Sequence, residues 1–402
     1  MRYFLCLVLL ILFTPAGSQA ADAPGAAVFV RLTGNADDAR SEVYEQRLSG
    51  GKAKVLVAHT ALPKAFRGRI ERALPAADGA FLLLEESRGF VIRNKKTGAT
   101  RLVLGNGYSM DGANEVLAER FTGGYWLWKR GAGTLKKIPL LAKNEVMIGL
   151  QWSPRERLLL AHVSQSRPSH DIIRLYDPAT GKIRNLRAGP ESSFVSWSPN
   201  ADAVLIGEQP NEKTTRLVLA PLNGKAQLLF TRTGRVFTGA LSPDGRQVAI
   251  GDLDGFFLFS RDGRTKRTLA VPKARGIPAG NMVFSPDGKT LAIFSSSATG
   301  EPYVNIHEEL WTVQTQTAAA QCVAQWDVTL GNAPGEDTTH VLLGWVPGQP
   351  ALLVMGRSST TAGPETEWQK LWLQPVDPAR PATLFVDSGP CGIDMACWQG
   401  NP

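Results

Sequence analysis

The sequence predicts an all-β fold made of one small four-stranded unit repeated along the chain, and three features carry that prediction. A turn-and-strand phrase recurs: WSPRERLLLAH from Trp152, WSPNADAVLIG from Trp197, LSPDGRQVAIG from Leu241 and FSPDGKTLAIF from Phe284. Its Ser-Pro pairs begin at Ser153, Ser198, Ser242 and Ser285, at intervals of 45, 44 and 43 residues. Helical signal is nearly absent, since no long segment carries an apolar stripe at 3.6-residue spacing with caps, while 40 glycines and 26 prolines punctuate the chain. A fixed period of this size filled with short strands is the signature of β-propeller blades.

Each part of the unit has a chemical reason. Proline at the second position of the turn presets φ, aspartate or asparagine bonds to nearby backbone, and glycine takes the conformation that follows. An aliphatic run comes next (247–250, 290–294) and reads as a buried strand. A third strand alternates polar and apolar residues: IIRLYDP at 172–178, TRLVLAP at 215–221, FFLFSRD at 256–262, ELWTVQT at 309–315 and KLWLQPV at 370–376. It ends in a tight turn (KTGA at 96–99, ATGK at 179–182, LNGK at 222–225, RDGR at 261–264), from which a fourth strand returns.

Weaker copies extend the series: ALPAADGAFLLLEE from Ala73, YSMDGANEVLA from Tyr108 and GWVPGQPALLVMG from Gly344. Residues 26–60 read as second, third and fourth strands lacking a first, and GIDMACWQGNP at the C-terminus reads as a first strand lacking the rest. A blade shared by both termini would close the ring and remove the open sheet edges. Seven internal copies plus this composite predict eight blades of four antiparallel strands. Seven blades with an extra N-terminal ribbon is the alternative, because the interval 74–109 is short for a blade.

The S-P-D-G hairpin, the aliphatic strand and the third strand ending in a D-x-x-T-G-K or D-G turn resemble the TolB-type (WD-type) β-propeller repeat, found also in the non-catalytic propellers of the prolyl oligopeptidase family. The match is good over 150–295 and looser elsewhere. The resemblance implies a periplasmic protein-interaction role. The chain departs from TolB in lacking the α/β domain that precedes the propeller there.

Strand direction then sorts the connections. The S-P-D-G and G-K hairpins fall at one end of every blade and are tight. The second-to-third loops and the blade-to-blade links fall at the other end, where 61–72, 164–171, 208–214, 271–281, 295–308, 328–340 and 357–367 read as long loops. Binding residues concentrate on loops held by a rigid scaffold, so this end is the expected ligand or partner face. Its candidates are Lys64, Arg67 and Arg69 on one link, Lys273 and Arg275 on another, Arg167 and His170 on a third segment, Tyr303 and His307 in the 295–308 insertion, and Trp368. Trp152, Trp197, Trp345 and Trp398 recur at the position before the turn, and Trp126, Trp128, Trp311 and Trp372 fall on third strands, so these read as packing.

Residues 1–20 read as a signal peptide, with Arg2, an apolar run from Leu5 to Phe13 and a small-x-small site before Ala21. The propeller domain is then 21–402, periplasmic or secreted, and no later stretch approaches the roughly 20 apolar residues of a membrane helix. Lys and Arg outnumber Asp and Glu 44 to 36. This diffuse excess suits a protein or an anionic cell-envelope component and gives no specific nucleic-acid signal. A monomer is expected. Of the cysteines left after cleavage, Cys391–Cys397 is the short-range disulfide candidate, which a fully extended 392–397 would exclude, and Cys322–Cys391 is its rival.

Catalytic signatures are missing from the sequence. GYSMDG at 107–112 breaks the G-x-S-x-G pattern, His307-Glu308-Glu309 has no second histidine at zincin spacing, and the histidines at 59, 162, 170, 307 and 340 form no cluster. No catalytic residue, cofactor or metal is assigned. The expected function is a non-enzymatic binding propeller. The alternative is a propeller hydrolase or lactonase with an active site at the axis.

Overall fold

The computed structural model describes residues 26–33, 40–47, 52–61, 72–75, 81–86, 89–104, 106–110, 115–119, 124–129, 136–153, 158–166, 169–198, 200–271, 282–299, 305–329, 338–346, 349–358, 369–387 and 393–399. Apart from a 3-10 turn at His59–Ala61, every regular element among them is a strand.

The strands form four-stranded antiparallel sheets that follow chain order. The first sheet contains β1 (Ala26–Thr33), β2 (Arg40–Arg47) and β3 (Lys54–Val57). The second is β4 (Arg72–Pro75), β5 (Phe81–Glu86), β6 (Gly89–Asn94) and β7 (Thr100–Leu104). The third is β8 (Asn106–Met110), β9 (Glu115–Glu119), β10 (Tyr125–Lys129) and β11 (Lys136–Ile138). The fourth is β12 (Glu145–Trp152), β13 (Leu159–Ser166), β14 (Ser169–Tyr176) and β15 (Ile183–Gly189). The fifth is β16 (Glu191–Trp197), β17 (Ala203–Asn211), β18 (Thr214–Pro221) and β19 (Gln227–Thr233). The sixth is β20 (Val236–Leu241), β21 (Gln247–Asp252), β22 (Gly255–Ser260) and β23 (Lys266–Thr268). The seventh is β24 (Met282–Phe284), β25 (Thr290–Thr299), β26 (Asn305–Gln314) and β27 (Ala320–Thr329). The eighth is β28 (Thr338–Trp345), β29 (Ala351–Ser358), β30 (Gln369–Pro375) and β31 (Thr383–Asp387). β32 (Ile393–Gln399) returns to the first sheet and pairs antiparallel with β1, from Ala26↔Gln399 to Arg31↔Ile393. Each sheet touches the next through its first strand or the strands beside it, and β30 of the eighth touches β32 of the first.

The recurring turn is locked by its own side chains. Ser242 Oγ donates to Asp244 Oδ1 (2.5 Å) and accepts the N–H of Gln247 (2.9 Å), while Asp244 Oδ1 accepts the N–H of Arg246 (3.0 Å). Ser285 and Asp287 repeat this with Lys289 and Thr290. Gly245 and Gly288 hold φ of 67° and 70°, which an L side chain tolerates poorly. Ser198 and Ser242 are each 1% exposed, so the serine is an internal capping group rather than a nucleophile.

The third-to-fourth turns are just as regular. Thr180 Oγ1 accepts the N–H of Lys182, as Thr97 does for Ala99 and Thr317 for Ala319. Glycine occupies the left-handed position at Gly98 and Gly181, but Ala318 fills it in the seventh sheet with φ of 60°. Ala318→Gly is therefore expected to raise unfolding stability by about 1 kcal/mol, read by urea denaturation. An unchanged or lower midpoint would mean the alanine is unstrained.

Second and third strands form the core. In the fifth sheet Val204, Leu205 and Ile206 of β17 and Leu217 and Leu219 of β18 have no more than 1% exposure. Buried clusters join neighbouring sheets, as where Leu205 and Leu217 of the fifth pack with Val248, Ile250 and Phe257 of the sixth. First strands are less covered: Val146 and Ile148 of β12 are 61% and 58% exposed.

Candidate functional site

In the second to eighth sheets the first-to-second and third-to-fourth connections share one end. They are uniformly short, as at 76–80, 198–202, 242–246, 285–289 and 346–350. The opposite end varies from single-residue links at 105 and 190 to 58–71, 269–281, 330–337 and 359–368. Three of the expected long loops are largely ladder. Within 164–171, Gln165 pairs with His170 and Ser166 with Ser169. Within 208–214 the strands run to Asn211 and resume at Thr214. Within 295–308 the pairing continues from Ser295↔Glu309 to Thr299↔Asn305. These hairpins extend past the apolar core, so their polar residues lack the alternation that marks a strand.

Buried polar side chains at this end stitch neighbouring sheets together. Asp171, Thr215 and Glu308, each near the start of a third strand, reach the first strand of the following sheet. Asp171 Oδ2 accepts the N–H of Ser192 (2.7 Å) and lies 2.8 Å from His162 Nε2. Thr215 Oγ1 accepts the N–H of Val236 (3.1 Å) and donates to the carbonyl of Gly234 (2.9 Å). Glu308 Oε2 accepts the N–H of His340 (3.0 Å) and lies 2.8 Å from His340 Nδ1. The His340 ring stacks on Trp326 at 4.1 Å between centroids and sits 5.8 Å from Trp372. Burial pushes the Asp171 carboxyl up, but the hydrogen bonds from His162 and Ser192 outweigh it and hold the group below the usual aspartate range.

A second row of contacts links outer strands to second strands of the next sheet. Arg187 of β15 grips Glu208 of β17 through Nε–Oε1 (2.6 Å) and Nη2–Oε2 (3.0 Å). Arg232 of β19 bonds Asp252 Oδ2 (2.6 Å) and Asp254 Oδ2 (3.1 Å) while lying over the Phe257 ring. Asp252 Oδ1 also accepts the N–H of Asp254 (2.7 Å), so the Asp252–Gly255 segment is a tight hairpin rather than a calcium loop. In the fourth sheet Arg174 pairs bidentately with Glu145 (2.8 and 2.9 Å) and also donates to the Leu140 carbonyl. The Arg174 hydrogen bond holds the Glu145 carboxyl below its ordinary value. These charges are saturated by one another, the arrangement expected of a rigid joint.

Of the candidates named from the sequence, His170 and His307 are described. Lys64, Arg67, Arg69, Arg167, Lys273, Arg275, Tyr303, Trp368 and Cys391 lie outside the described residues. His170 pairs in register with Gln165 near the tip of the β13–β14 hairpin, where its charge helps lower the Glu145 carboxyl. His307 on β26 has Asp327 Oδ1 at 2.6 Å from Nδ1 and Glu309 Oε1 at 3.2 Å from Nε2. Glu309 also accepts from Trp311 Nε1 (3.1 Å) and Gln325 Nε2 (3.3 Å). The hydrogen bond to Asp327, aided by Glu309, raises the His307 pKa above the usual 6.5. Its stabilising contribution is therefore full below the unfolded value and is lost as pH rises through the folded one. The His307 ring is expected to titrate above pH 6.5 by NMR, and Asp327→Asn to shift that titration downward. A titration at or below 6.5 in the wild type would refute the ion pair.

Cys322 is a free, half-buried thiol donating to the Ala324 carbonyl (3.3 Å), and burial raises its pKa. Cys397 lies in β32. Among the described residues no group of three or more His, Cys, Asp or Glu could hold a metal ion, and no helix is long and apolar enough to cross a membrane. A shallow groove of about 990 Å³ lies at the opposite, tight-turn end between the fifth and sixth sheets, lined by Leu228, Leu229, Arg246, Arg261 and neighbours. Asp244 and Asp262 in its wall are occupied by their own turns.

No protein-family model matches the chain, and no curated protein does. Solved structures do. A eukaryotic initiation factor aligns over 94% of this chain and 100% of its own, at 11% identity and a TM-score of 0.55. A putative dipeptidyl aminopeptidase IV from Bacteroides ovatus aligns over 90% of this chain at 12% identity and a TM-score of 0.52. TolB from Acinetobacter baumannii aligns over 74% of this chain at 14% identity and a TM-score of 0.39. The chain spans 60% of the aminopeptidase and 62% of the TolB chain. At these identities the likeness is one of fold, an all-β propeller-like arrangement of four-stranded sheets.

Proposed function

We propose that this chain is an exported, closed, eight-bladed propeller that binds a protein or an anionic cell-envelope component at its variable end, without catalysis. The observation that carries this is the contrast between the two ends of the sheets. Short turns locked by Ser–Asp hydrogen bonds repeat at one end, while connections of every length occur at the other. A scaffold that is uniform at one end and divergent at the other is built to present loops. The pairing of β1 with β32, together with the contacts between successive sheets, supports closure. The apolar run, small-x-small site and positive Arg2 of residues 1–20 support export to the periplasm or beyond.

In this proposal Lys64, Arg67, Arg69, Arg167, His170, Lys273, Arg275, Tyr303, His307 and Trp368 supply the contacts. The test is photo-crosslinking of the mature protein in an envelope extract. A crosslinker at position 213 or 253, at the variable end, should yield adducts, and one at 244 or 262, at the tight-turn end, should not. The Lys64, Arg67 and Arg69 to Ala triple variant should lower the yield. Equal adducts from both ends, or an unchanged triple variant, would remove the basis of the proposal.

A further inference from the structure

Outermost strands expose unpaired backbone groups, and proteins blunt them by shortening them, by bulges, or by placing charged residues, lysine above all, or proline on them. Here β3, β7, β11, β15, β19 and β23 each carry Lys or Arg, and β31 is only five residues long. β27 is the least guarded of these, with one bulge at Val323 and one charge, Asp327, in place of a cation. It is ten residues long, reads AQCVAQWDVT, and contains no Lys, Arg, Pro or Gly. Among the described residues its sole ladder partner is β26.

The seventh sheet is built to present that edge. Among the described residues β24 pairs only with Leu291–Ile293, and from Phe294 to Thr299 β25 runs on with β26 and β27 as a three-stranded ribbon. A bulge interrupts β27 at Val323, but from Ala324 to Thr329 its pairing with Leu310 to Asn305 is unbroken, the length of an ordinary strand. The inner side of the ribbon is occupied. Trp326 stacks on His340 and packs near Phe294, and β25 touches β28. The outer side carries the exposed Gln325 and Asp327, the latter 88% exposed, with Glu309 alongside. Two carboxylates and one imidazole there contrast with a chain of net charge +8.

We propose that the Ala324–Thr329 edge of β27 accepts an extended segment of a partner protein as a fifth strand, and that this segment carries Lys or Arg at the position facing Asp327. Backbone hydrogen bonds would supply the binding, and the carboxylate face would supply the preference. This does not depend on the variable-end loops binding anything.

The probe is a short labelled peptide of alternating valine and threonine with two lysines. It is compared with its glutamate counterpart and with a backbone N-methylated version. By fluorescence anisotropy the lysine peptide should bind about fivefold tighter than the glutamate peptide, and the methylated one should not bind. Hydrogen exchange should slow at outward-facing amides of 324–329. Asp327→Lys, an exposed substitution whose folding is checked by circular dichroism, should reverse the order of the two peptides. Equal affinity for all three peptides, no binding of the lysine peptide, or protection confined elsewhere would overturn the proposal. So would a dimer in ultracentrifugation that protects the same amides, because the occupant would then be a second copy of the chain.

Discussion

Replacing Glu308 by alanine is expected to lower the free energy of unfolding by about 3 kcal/mol, because it leaves two buried donors without an acceptor at once. Glu308 and His340 are 4% and 6% exposed, and one carboxylate oxygen serves both the His340 backbone N–H and its ring nitrogen. Water cannot replace it easily, since Trp326 covers one side of the imidazole. Glu308→Gln keeps an acceptor of similar reach and should cost about half as much. Urea denaturation of the two variants reads both numbers. A Glu308→Ala loss below about 1 kcal/mol would mean that the joint between the seventh and eighth sheets is held by packing alone.

Gly239→Val is expected to cost a comparable amount, about 3 kcal/mol, through crowding rather than lost bonds. A Cβ at Gly239 would lie 2.5 Å from Phe194 Cζ, and one at Gly207 would lie 2.4 Å from Phe194 Cε1. The Phe194 ring of β16 is thus held between the second strand of its own sheet and the first strand of the next. Ring and backbone cannot both stay in place once either glycine gains a side chain. Phe194→Ala in the Gly239→Val background should recover stability, with a coupling of about 1 kcal/mol or more in the double-mutant cycle. Strict additivity of the two substitutions would show that the ring is not what fills the space.

The turns were readable in the sequence because their chemistry is local: Ser, Pro, Asp and Gly at fixed offsets specify both hydrogen bonds and the positive φ. The four-strand rhythm followed from the repeat interval, and the supply of strands by both ends to one sheet followed from the fragments left over at each terminus. The contacts between sheets were not readable. Glu308 and His340, or Arg187 and Glu208, are ordinary charged residues until the fold decides which strands face each other. Gly207 and Gly239 look like weak points in strands until Phe194 arrives from elsewhere. The ladder within 164–171 and 295–308 reads as loop in the sequence because serine and histidine on a hairpin that projects beyond the core obey no apolar alternation. The same projection hid the least guarded edge among the described residues, since a strand's neighbours, and not its composition alone, determine whether its outer side is open.

The pairing of β1 with β32 carries a consequence for biogenesis. As the chain emerges from the export channel proposed for it, the second to eighth sheets can each assemble from a contiguous stretch, but the first sheet waits for a strand that arrives hundreds of residues later. Their sheet is the first begun and the last finished. Throughout that wait β1 is paired with β2 alone, and the edge that β32 will take is open to chaperones and to misassembly with other chains.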